Sequence, residues 1–175
     1  LTYVSDENDS AAVVAGIVKA AIYSAAIAGT AAVIVEVSEA ILVTSETASL
    51  ASSLTLETSK GITIKDSEIR TKKKKDRDED NDITIRGPEI VVKNSKLIAE
   101  GNVTLECFTN DLTDKSILVD NSVIKAEKKT ITDIELKKRT VSMTSGDITI
   151  QNNSEVSGPN VEIEANDLSI TSGAK

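Results

Sequence analysis

Short runs of alternating apolar and polar residues fill the chain from residue 33 onward. Typical examples are VIVEV, ITIKDSEI, EIVVKNSKL and SILVDNSVI, and turn-forming residues separate each run from the next. Strict alternation over a few residues is typical of a β-strand with one buried face, because successive side chains of a strand point to opposite sides. The pattern therefore predicts a mainly β protein with short, closely spaced strands.

The same corner recurs along this β-rich region. The tetrapeptides DSEI, NSKL, NSVI and NSEV begin at residues 66, 94, 121 and 153, with a period of about 28 residues. An apolar-x-apolar pair precedes each of them, and the fourth copy has one extra residue before Asn153. This self-similarity predicts a parallel β-solenoid rather than a sandwich, because each coil of a solenoid turns the same corner.

The repeat also predicts the place of each residue type in a coil. Inward positions are expected to hold Ile62, Ile64 and Ile69 and their counterparts, so that Ile64, Val92 and Val119 stack in register. The Asx-Ser pair is expected at the corner, where Asp and Asn tolerate unusual φ values and bond nearby backbone. Aromatic residues make up only 2% of the chain, which fits a narrow interior of Ile, Val, Leu and Ala.

Residues 1–32 differ from the rest, so the predicted division of the chain is 1–32 and 33–175. The stretch AAVVAGIVKAAIYSAAIAGTAA predicts a helix with Ser10 as its N-cap. Small residues recur at every fourth position, and a ridge of them on one helix face lets another backbone approach closely. The predicted assembly contact consists of Ala12, Gly16, Ala20, Ser24, Ala28 and Ala32.

Three interpretations of this Ala-rich segment are open. The favoured one is a helix packed in an oligomer or against its own scaffold, and the second is a continuation of the strand-rich region, since AAVIVEV already has strand character. The third is a membrane span, for which the length would suffice. A span is the least favoured, because Lys19 lies inside the segment and no basic flank follows it.

The charge of −8 at pH 7 disfavours nucleic acid as a partner, because phosphate binding needs an excess of Lys and Arg. The basic run Lys72 to Lys75 is followed at once by acidic residues. Asp76 to Asp82 has the alternating aspartates of a calcium loop, but Asn81 and Gly87 stand where an EF-hand needs Gly and Glu. Residues 72–82 are therefore interpreted as an exposed insertion on a corner, with calcium binding left open.

The stretch NSKLIAEGNVTLE resembles the haemagglutinin-type repeats of filamentous-haemagglutinin-like exoproteins, which follow the pattern G-S-x-[VL]-x-A-G-G-[DN]-[VL]-x-L. The resemblance covers about residues 53–170 in four degenerate copies, in which Asn or Asp replaces the corner Gly. It implies a right-handed parallel β-helix, secreted by the two-partner route and used as a surface fibre or adhesin stalk. SLTLETSKGITIK and ITIRGPEIVVK are also similar to the spike tips of contractile injection machines and phage tails.

Catalysis is not predicted. The chain has no histidine, so Cys107 lacks a base and is interpreted as a small core residue. Pectate-lyase-like enzymes share the parallel β-helix but need a positive cleft with aspartates, and the only basic cluster besides Lys72 to Lys75 is Lys137, Lys138 and Arg139. No P-loop or GxGxxG is present. We expect a protein that is not an enzyme and uses no cofactor. No metal ligand is predicted, and calcium binding at Asp76 to Asp82 stays open.

The predicted function is structural: a self-assembling subunit of an extracellular or cell-surface fibre or adhesin stalk. A solenoid has two open ends with unpaired backbone donors and acceptors, and the stretch NDLSITSGAK shows no evident cap. Self-association through the ends is therefore expected, with the Ala-rich helix as an assembly element. The alternatives are a trimeric spike tip of a contractile injection machine and a carbohydrate-active β-helix enzyme.

Overall fold

Alternation in the sequence becomes alternation of burial along the strands. In the run SLTLET, for example, every second side chain is fully buried and the others are half-buried. The structure, a computed structural model, describes residues 1–4, 11–27, 32–72, 81–107, 113–127 and 139–175. In these ranges the chain is mainly β with one helix, and the predicted class of a mainly β fold with parallel strands is confirmed.

The elements are short, apart from the helix and two long strands near the end of the chain. They are β1 (Thr2–Val4), α1 (Ala11–Ile27), β2 (Ala32–Val37), β3 (Ile41–Thr44), β4 (Thr47–Leu50), β5 (Ser53–Thr58), β6 (Gly61–Lys65), β7 (Glu68–Thr71), β8 (Ile83–Arg86), β9 (Glu89–Lys93), β10 (Lys96–Ala99), β11 (Val103–Glu106), β12 (Ser116–Asp120), β13 (Val123–Ala126), β14 (Thr140–Gln151), β15 (Glu155–Ser157) and β16 (Asn160–Ile170).

The strands lie in three parallel stacks. The first stack is β2, β5, β8, β11 and the first halves of β14 and β16, and the second is β3, β6, β9, β12 and the second halves of the same two strands. The third stack is β4, β7, β10, β13 and β15. The chain visits the stacks in the same order each time, and we call one such passage a round.

The inward positions of the repeat are stacked as the sequence predicts. Ile64 pairs with Val92, and Val92 pairs with Val119, so the expected register of these three residues is confirmed. All three are completely buried. Ile, Leu and Val from successive rounds build one continuous core. No bulky ring is needed to fill this interior, because each side chain rests on its counterpart one round away.

The helix α1 covers the core at the end where the first round lies. Val14, Val18 and Ile22 are buried in the same cluster as the inward residues of β2 and β3. These three side chains lie three to four residues apart and so share one helix face. The helix thus closes one end of the stacked strands by its apolar face, while its opposite face remains outside.

Parts of the chain differ from the sequence-based expectation. β1 lies inside the segment 1–32 and pairs in parallel with β2, although that segment is expected to be helical. Ala32, expected on the small-residue ridge of the helix, begins β2 and pairs with Ser53. A further round, β2 to β4, precedes the four aligned copies. Its corner at Ser45 has a positive φ but lacks the Asx-Ser dipeptide, so the alignment does not reveal it.

The insertion at residues 72–82 is not exposed throughout, and the expectation is wrong at its second end. Asn81 is buried, and its side-chain amide donates a hydrogen bond to the carbonyl of Lys72. Its own carbonyl accepts a 2.6 Å hydrogen bond from the Thr71 hydroxyl. Asp82 accepts a 2.6 Å hydrogen bond from the backbone N–H of Asn102. The two ends of the insertion are therefore tied together where the third stack passes to the first.

We expect Asn81→Ala to lower the free energy of unfolding by about 1 kcal/mol, because the carbonyl of Lys72 loses its side-chain donor. Chemical denaturation monitored by circular dichroism measures this change. Asn166→Ala, at an exposed position of β16, is the matched control and should leave the midpoint unchanged. Equal midpoints for the two variants would show that Asn81 does not hold the base of the insertion.

Candidate functional site

The recurring Asx residues occupy left-handed backbone at one corner of the fold. The φ angles of Asp66, Asn94 and Asn121 are 50°, 48° and 46°, and the extra residue of the fourth copy gives two such positions, Asn152 and Asn153. Asn and Asp are the non-glycine residues that adopt this region most readily. The predicted corner is therefore confirmed, and its residue type follows from its backbone conformation.

The serines beside these residues form a buried ladder that links the rounds. The N–H of Ser67 donates to Ser95 Oγ at 3.1 Å, that of Ser95 to Ser122 Oγ at 3.0 Å, and that of Ser122 to Ser154 Oγ at 3.1 Å. Each hydroxyl in turn donates to a carbonyl just before its own corner, as Ser122 does to Asp120 at 2.7 Å. One small side chain thus satisfies a buried backbone N–H and a backbone carbonyl at each level.

A second ladder runs along the outside of the same corner. Asn94 Nδ2 donates to Asp66 Oδ1, and Asn121 Nδ2 donates to Asn94 Oδ1, both at 3.0 Å. An amide carries both a donor and an acceptor, so stacked Asn side chains pass the hydrogen bond from one round to the next. The Asx-Ser dipeptide therefore fixes both the shape of the corner and the spacing between rounds.

Asp120 is a charged member of this corner. Its Oδ1 accepts a 2.6 Å hydrogen bond from Asn152 Nδ2, and Lys93 Nζ lies 3.5 Å from its Oδ2. The hydrogen bond from Asn152 and the nearby Lys93 hold the pKa of Asp120 below its usual value, against the opposing effect of burial. The carboxylate is ionised at neutral pH and serves as an acceptor in the corner.

The predicted assembly residues are only partly brought together. Gly16 and Ala20 lie on the exposed face of α1, opposite the buried face, and a Cβ at Gly16 would meet no atom within 4 Å. Ala12 and Ser24 belong to the same helix. Ala28 lies outside the described residues, and Ala32 belongs to β2. The accessible part of the ridge therefore centres on Gly16 and Ala20, with the exposed Tyr23 beside it.

Cys107 lies in the core. Its Sγ is 3.6 Å from the carbonyl of Ser116, and the side chain is 2% exposed. Burial raises the pKa of its thiol above the usual value, which outweighs the opposite effect of Lys115. A protonated, buried thiol is a poor nucleophile, in agreement with its interpretation as a small core residue.

The other candidate chemical groups are dispersed or lie outside the described residues. The candidates outside the described residues are Lys73 to Lys75, Asp76 to Asp80, Lys137 and Lys138. Arg139 is buried, and its Nη1 donates to the carbonyl of Glu127 at 2.8 Å. Among the described residues, no group of three or more His, Cys, Asp or Glu side chains is arranged to hold a metal ion.

Surface cations are placed beside carboxylates of neighbouring rounds. Arg86 lies 2.9 Å from Glu106 and 3.8 Å from Glu57, the residues that pair with it on the two adjacent strands. Arg70 reaches further and lies 2.9 Å from Glu127, which belongs to the second round along from its own. Exposed pairs of this kind add little to stability, but they neutralise the basic side chains locally.

The helix α1 is 17 residues long and packs on the strands of the first round. No helix in the described ranges is both long and apolar enough to cross a membrane. Its most apolar side chains are instead used against β2, β3 and β4. A packed position is in line with the favoured interpretation of the Ala-rich segment, in which the helix lies against its own scaffold or in an oligomer.

Comparison with protein-family models, with curated proteins and with solved structures finds no match for this chain. The resemblance to filamentous-haemagglutinin-like repeats therefore remains a prediction from the repeated corner and its flanking strands. The features that bear on function are the corner ladders and the end of the stack that α1 covers.

Proposed function

We propose that this chain is a right-handed parallel β-solenoid that serves as a structural, self-assembling subunit of an extracellular fibre or adhesin stalk. The observation that carries the proposal is the repetition of one corner, with its serine and asparagine ladders, through rounds stacked in register. The right-handed form is proposed because connections between parallel strands of one sheet are almost always right-handed.

A stack of this kind is suited to act as a rod. Each round adds about 4.8 Å along the stacking axis, and its cross-section stays constant because the inward residues repeat. Each round contacts only its neighbours, so the rod gains length without needing a new core. A spacer or fibre needs both properties, and the resemblance to haemagglutinin-type repeats supports a cell-surface location.

Assembly is proposed to use the exposed face of α1 at one end of the rod. Gly16 and Ala20 present little side-chain volume there, so two helices can approach closely through these positions. The helix is held in place by its opposite, buried face. This arrangement lets α1 close its own core and meet another subunit at the same time.

Gly16→Leu is expected to weaken this contact by about tenfold or more, because four added carbon atoms separate the two backbones. Sedimentation velocity and electron microscopy of the wild type and the variant measure the effect. Leu forms helices better than Gly does, so a loss of assembly could not be attributed to melting of α1.

Ala15→Leu is the matched control, because Ala15 is exposed but is not part of the small-residue ridge. It should assemble as the wild type does. Assemblies of Gly16→Leu that equal those of the wild type would show that the ridge is not a contact. A monomeric wild type would contradict the fibre itself.

A trimeric spike tip is distinguished from a fibre by mass. In the described residues, the inward side chains of each round up to β14 are buried against the same chain. A core completed within one chain favours a single-chain rod over a tip in which three chains share one core. A discrete trimer with no larger species in sedimentation would support the spike tip instead.

A further inference from the structure

The outer face of the second stack has a central column without charged side chains, a column being the residues that pair in register from strand to strand. Through five rounds this column consists of Leu42, Thr63, Val91, Leu118 and Thr149. Leu42 is 57% exposed, and the other four are half-buried. Three large apolar side chains thus point outward in one line, which is about 19 Å long because neighbouring strands lie about 4.8 Å apart.

The outer faces of the other two stacks are more polar. On the first stack, a hydroxyl column lies beside a charged column, and in the middle rounds the two consist of Thr55, Thr84 and Thr104 and of Glu57, Arg86 and Glu106. On the third stack, the outward residues in register are Glu68, Lys96 and Val123 in one column and Arg70, Ile98 and Lys125 in the next. Among the described strands, the line of outward apolar residues in register therefore distinguishes the second stack.

Charged residues flank the apolar line on both sides. On the side of the Asx-Ser corner, Lys65 and Lys93 are in register, and their side chains are 50% and 49% exposed. On the other side, Glu89 and Asp147 are exposed. Lys93 has Asp120 at 3.5 Å, whereas no cation of the described residues lies within ion-pair distance of Glu89. An apolar centre within a charged rim is the usual arrangement of a protein–protein contact.

We propose that this face binds the same face of a second copy, with the two rods parallel and a two-fold axis along the apolar line. The contact deepens the proposed fibre and rests on it, because it joins the rods of that fibre side by side. A residue on such an axis meets its own copy. Leu42, Val91 and Leu118 would therefore each pack on an identical apolar side chain, between sheets about 10 Å apart.

The charges of the two rims complement each other in this arrangement. Rotation about the apolar line exchanges the two ends of every strand, so Glu89 at the start of β9 faces Lys93 at the end of β9 in the second copy. In the same way, Asp147 faces the uncharged Gln151 of the second copy. Each exposed Glu89 gains a cation, which occurs twice in the symmetric contact. No two like charges lie directly opposite each other.

Antiparallel rods would not provide this complementarity. A two-fold axis along the strands places each rim column opposite itself, at inverted heights. The column of Glu89 has no cation in the described rounds, since its other members are Gly61, Ser116 and Asp147. Glu89 would therefore stay unpaired in every antiparallel register. The need of this exposed carboxylate for a cation selects parallel rods.

The contact is small for a single subunit. A face about 19 Å long and three outward residues wide buries less than the roughly 1,200 Å² of a stable complex. Free subunits would therefore pair only at high concentration. Rods that are already joined end to end would form several such contacts at once, and their pairing would be much tighter. The side-by-side contact thus gives the proposed fibre two rods in its cross-section.

Carbodiimide cross-linking of the full chain tests the register, because this reagent joins an amine to a carboxylate that it contacts. Within one copy, Glu89 and Lys93 lie at opposite ends of β9, about 13 Å apart. A Glu89–Lys93 link identified by peptide mass spectrometry in cross-linked dimers therefore forms between two copies. Dimers that carry other links between copies, but not this one, would overturn the two-fold register.

Glu89→Lys is expected to weaken pairing by about fivefold or more, because two attractive pairs become repulsive. Asp147→Lys is the matched control, since it makes the same change of net charge in the same column but faces Gln151, and it should pair as the wild type does. Lys93→Glu added to Glu89→Lys restores opposite charges and should recover the affinity. Failure to recover, in a double variant whose thermal melt shows a retained fold, would overturn the arrangement.

Leu118→Lys tests the apolar line itself and keeps the core intact, because this side chain points outward. Two ammonium groups would meet on the axis, so pairing is expected to weaken by more than about tenfold. Thr104→Lys is the control, at an outward position of the first stack. Sedimentation equilibrium from micromolar to near-millimolar concentration measures both, in chains that also carry Gly16→Leu to remove the end contact.

The outcomes separate this contact from the fibre. Wild-type filaments whose width and mass per length are unchanged in Leu118→Lys would overturn the side-by-side contact and leave the fibre in place. Dimers of Gly16→Leu that are lost on adding Leu118→Lys, without any filament in the wild type, would support the contact and contradict the fibre. Wild type and variants that are all monomeric throughout the range would overturn both.

Discussion

Val92→Asp is expected to lower the free energy of unfolding by about 4 kcal/mol or more, because a carboxylate would be buried with no partner. Val92 is completely buried, and its neighbours in the stack are Ile64 and Val119. Domains of this size are stable by only about 5–15 kcal/mol. The variant should therefore be largely unfolded in mild denaturant, which circular dichroism and urea titration would measure.

The neighbouring residue provides a matched control for this effect. Val91 lies on the same strand with its side chain on the outer side, where it is half-buried. Val91→Asp should cost less than about 1 kcal/mol, since the charge stays in contact with water and only strand propensity is lost. Equal losses for Val91→Asp and Val92→Asp would show that the two faces of β9 are not inside and outside as described.

Ser122→Ala is expected to cost about 1–3 kcal/mol, although it removes only one oxygen atom. The hydroxyl accepts the N–H of Ser95 and donates to the carbonyl of Asp120, and all three residues are buried. Alanine leaves the N–H of Ser95 without its acceptor, because its methyl group cannot form a hydrogen bond. Thermal and urea unfolding of the variant would measure the loss.

Ser49→Ala is the control for the loss of a hydroxyl at an exposed strand position. It should change the free energy of unfolding by no more than about 0.5 kcal/mol. Similar stabilities of Ser122→Ala and Ser49→Ala would mean that the serine ladder forms at the corner but does not stabilise the fold. A clear difference would assign the ladder a direct part in joining the rounds.

The strand pattern and the corner could be predicted because both depend on local residue type. Alternation identifies an inward face, and Asn at residues 94 and 121 marks left-handed backbone that few other residues adopt. The serine ladder could not be predicted, because its donors and acceptors come from residues a full round apart. The corner at Ser45 lacks the Asx-Ser pair, so only its place in the stack identifies it.

Burial of polar residues and the orientation of the helix depend on tertiary contacts. Asn81 lies in an acidic run that is typical of a solvated loop, yet its amide bonds the backbone at Lys72 and it is buried there. The small-residue ridge is visible in the sequence, but only the packing of Val14, Val18 and Ile22 shows that Gly16 and Ala20 face outward. Ala32 continues the spacing by coincidence and belongs to a strand.

The nearest-neighbour arrangement of the rounds also determines how the rod would respond to mechanical load. At one end, α1 packs on the first round through its buried face, and each later round is held by the rounds beside it. Tension on the chain would therefore detach rounds singly. A round of about 28 residues releases roughly 95 Å of extended chain. In the proposed stalk, the stacked corners would thus give lengthening in steps under pulling instead of failure as one body.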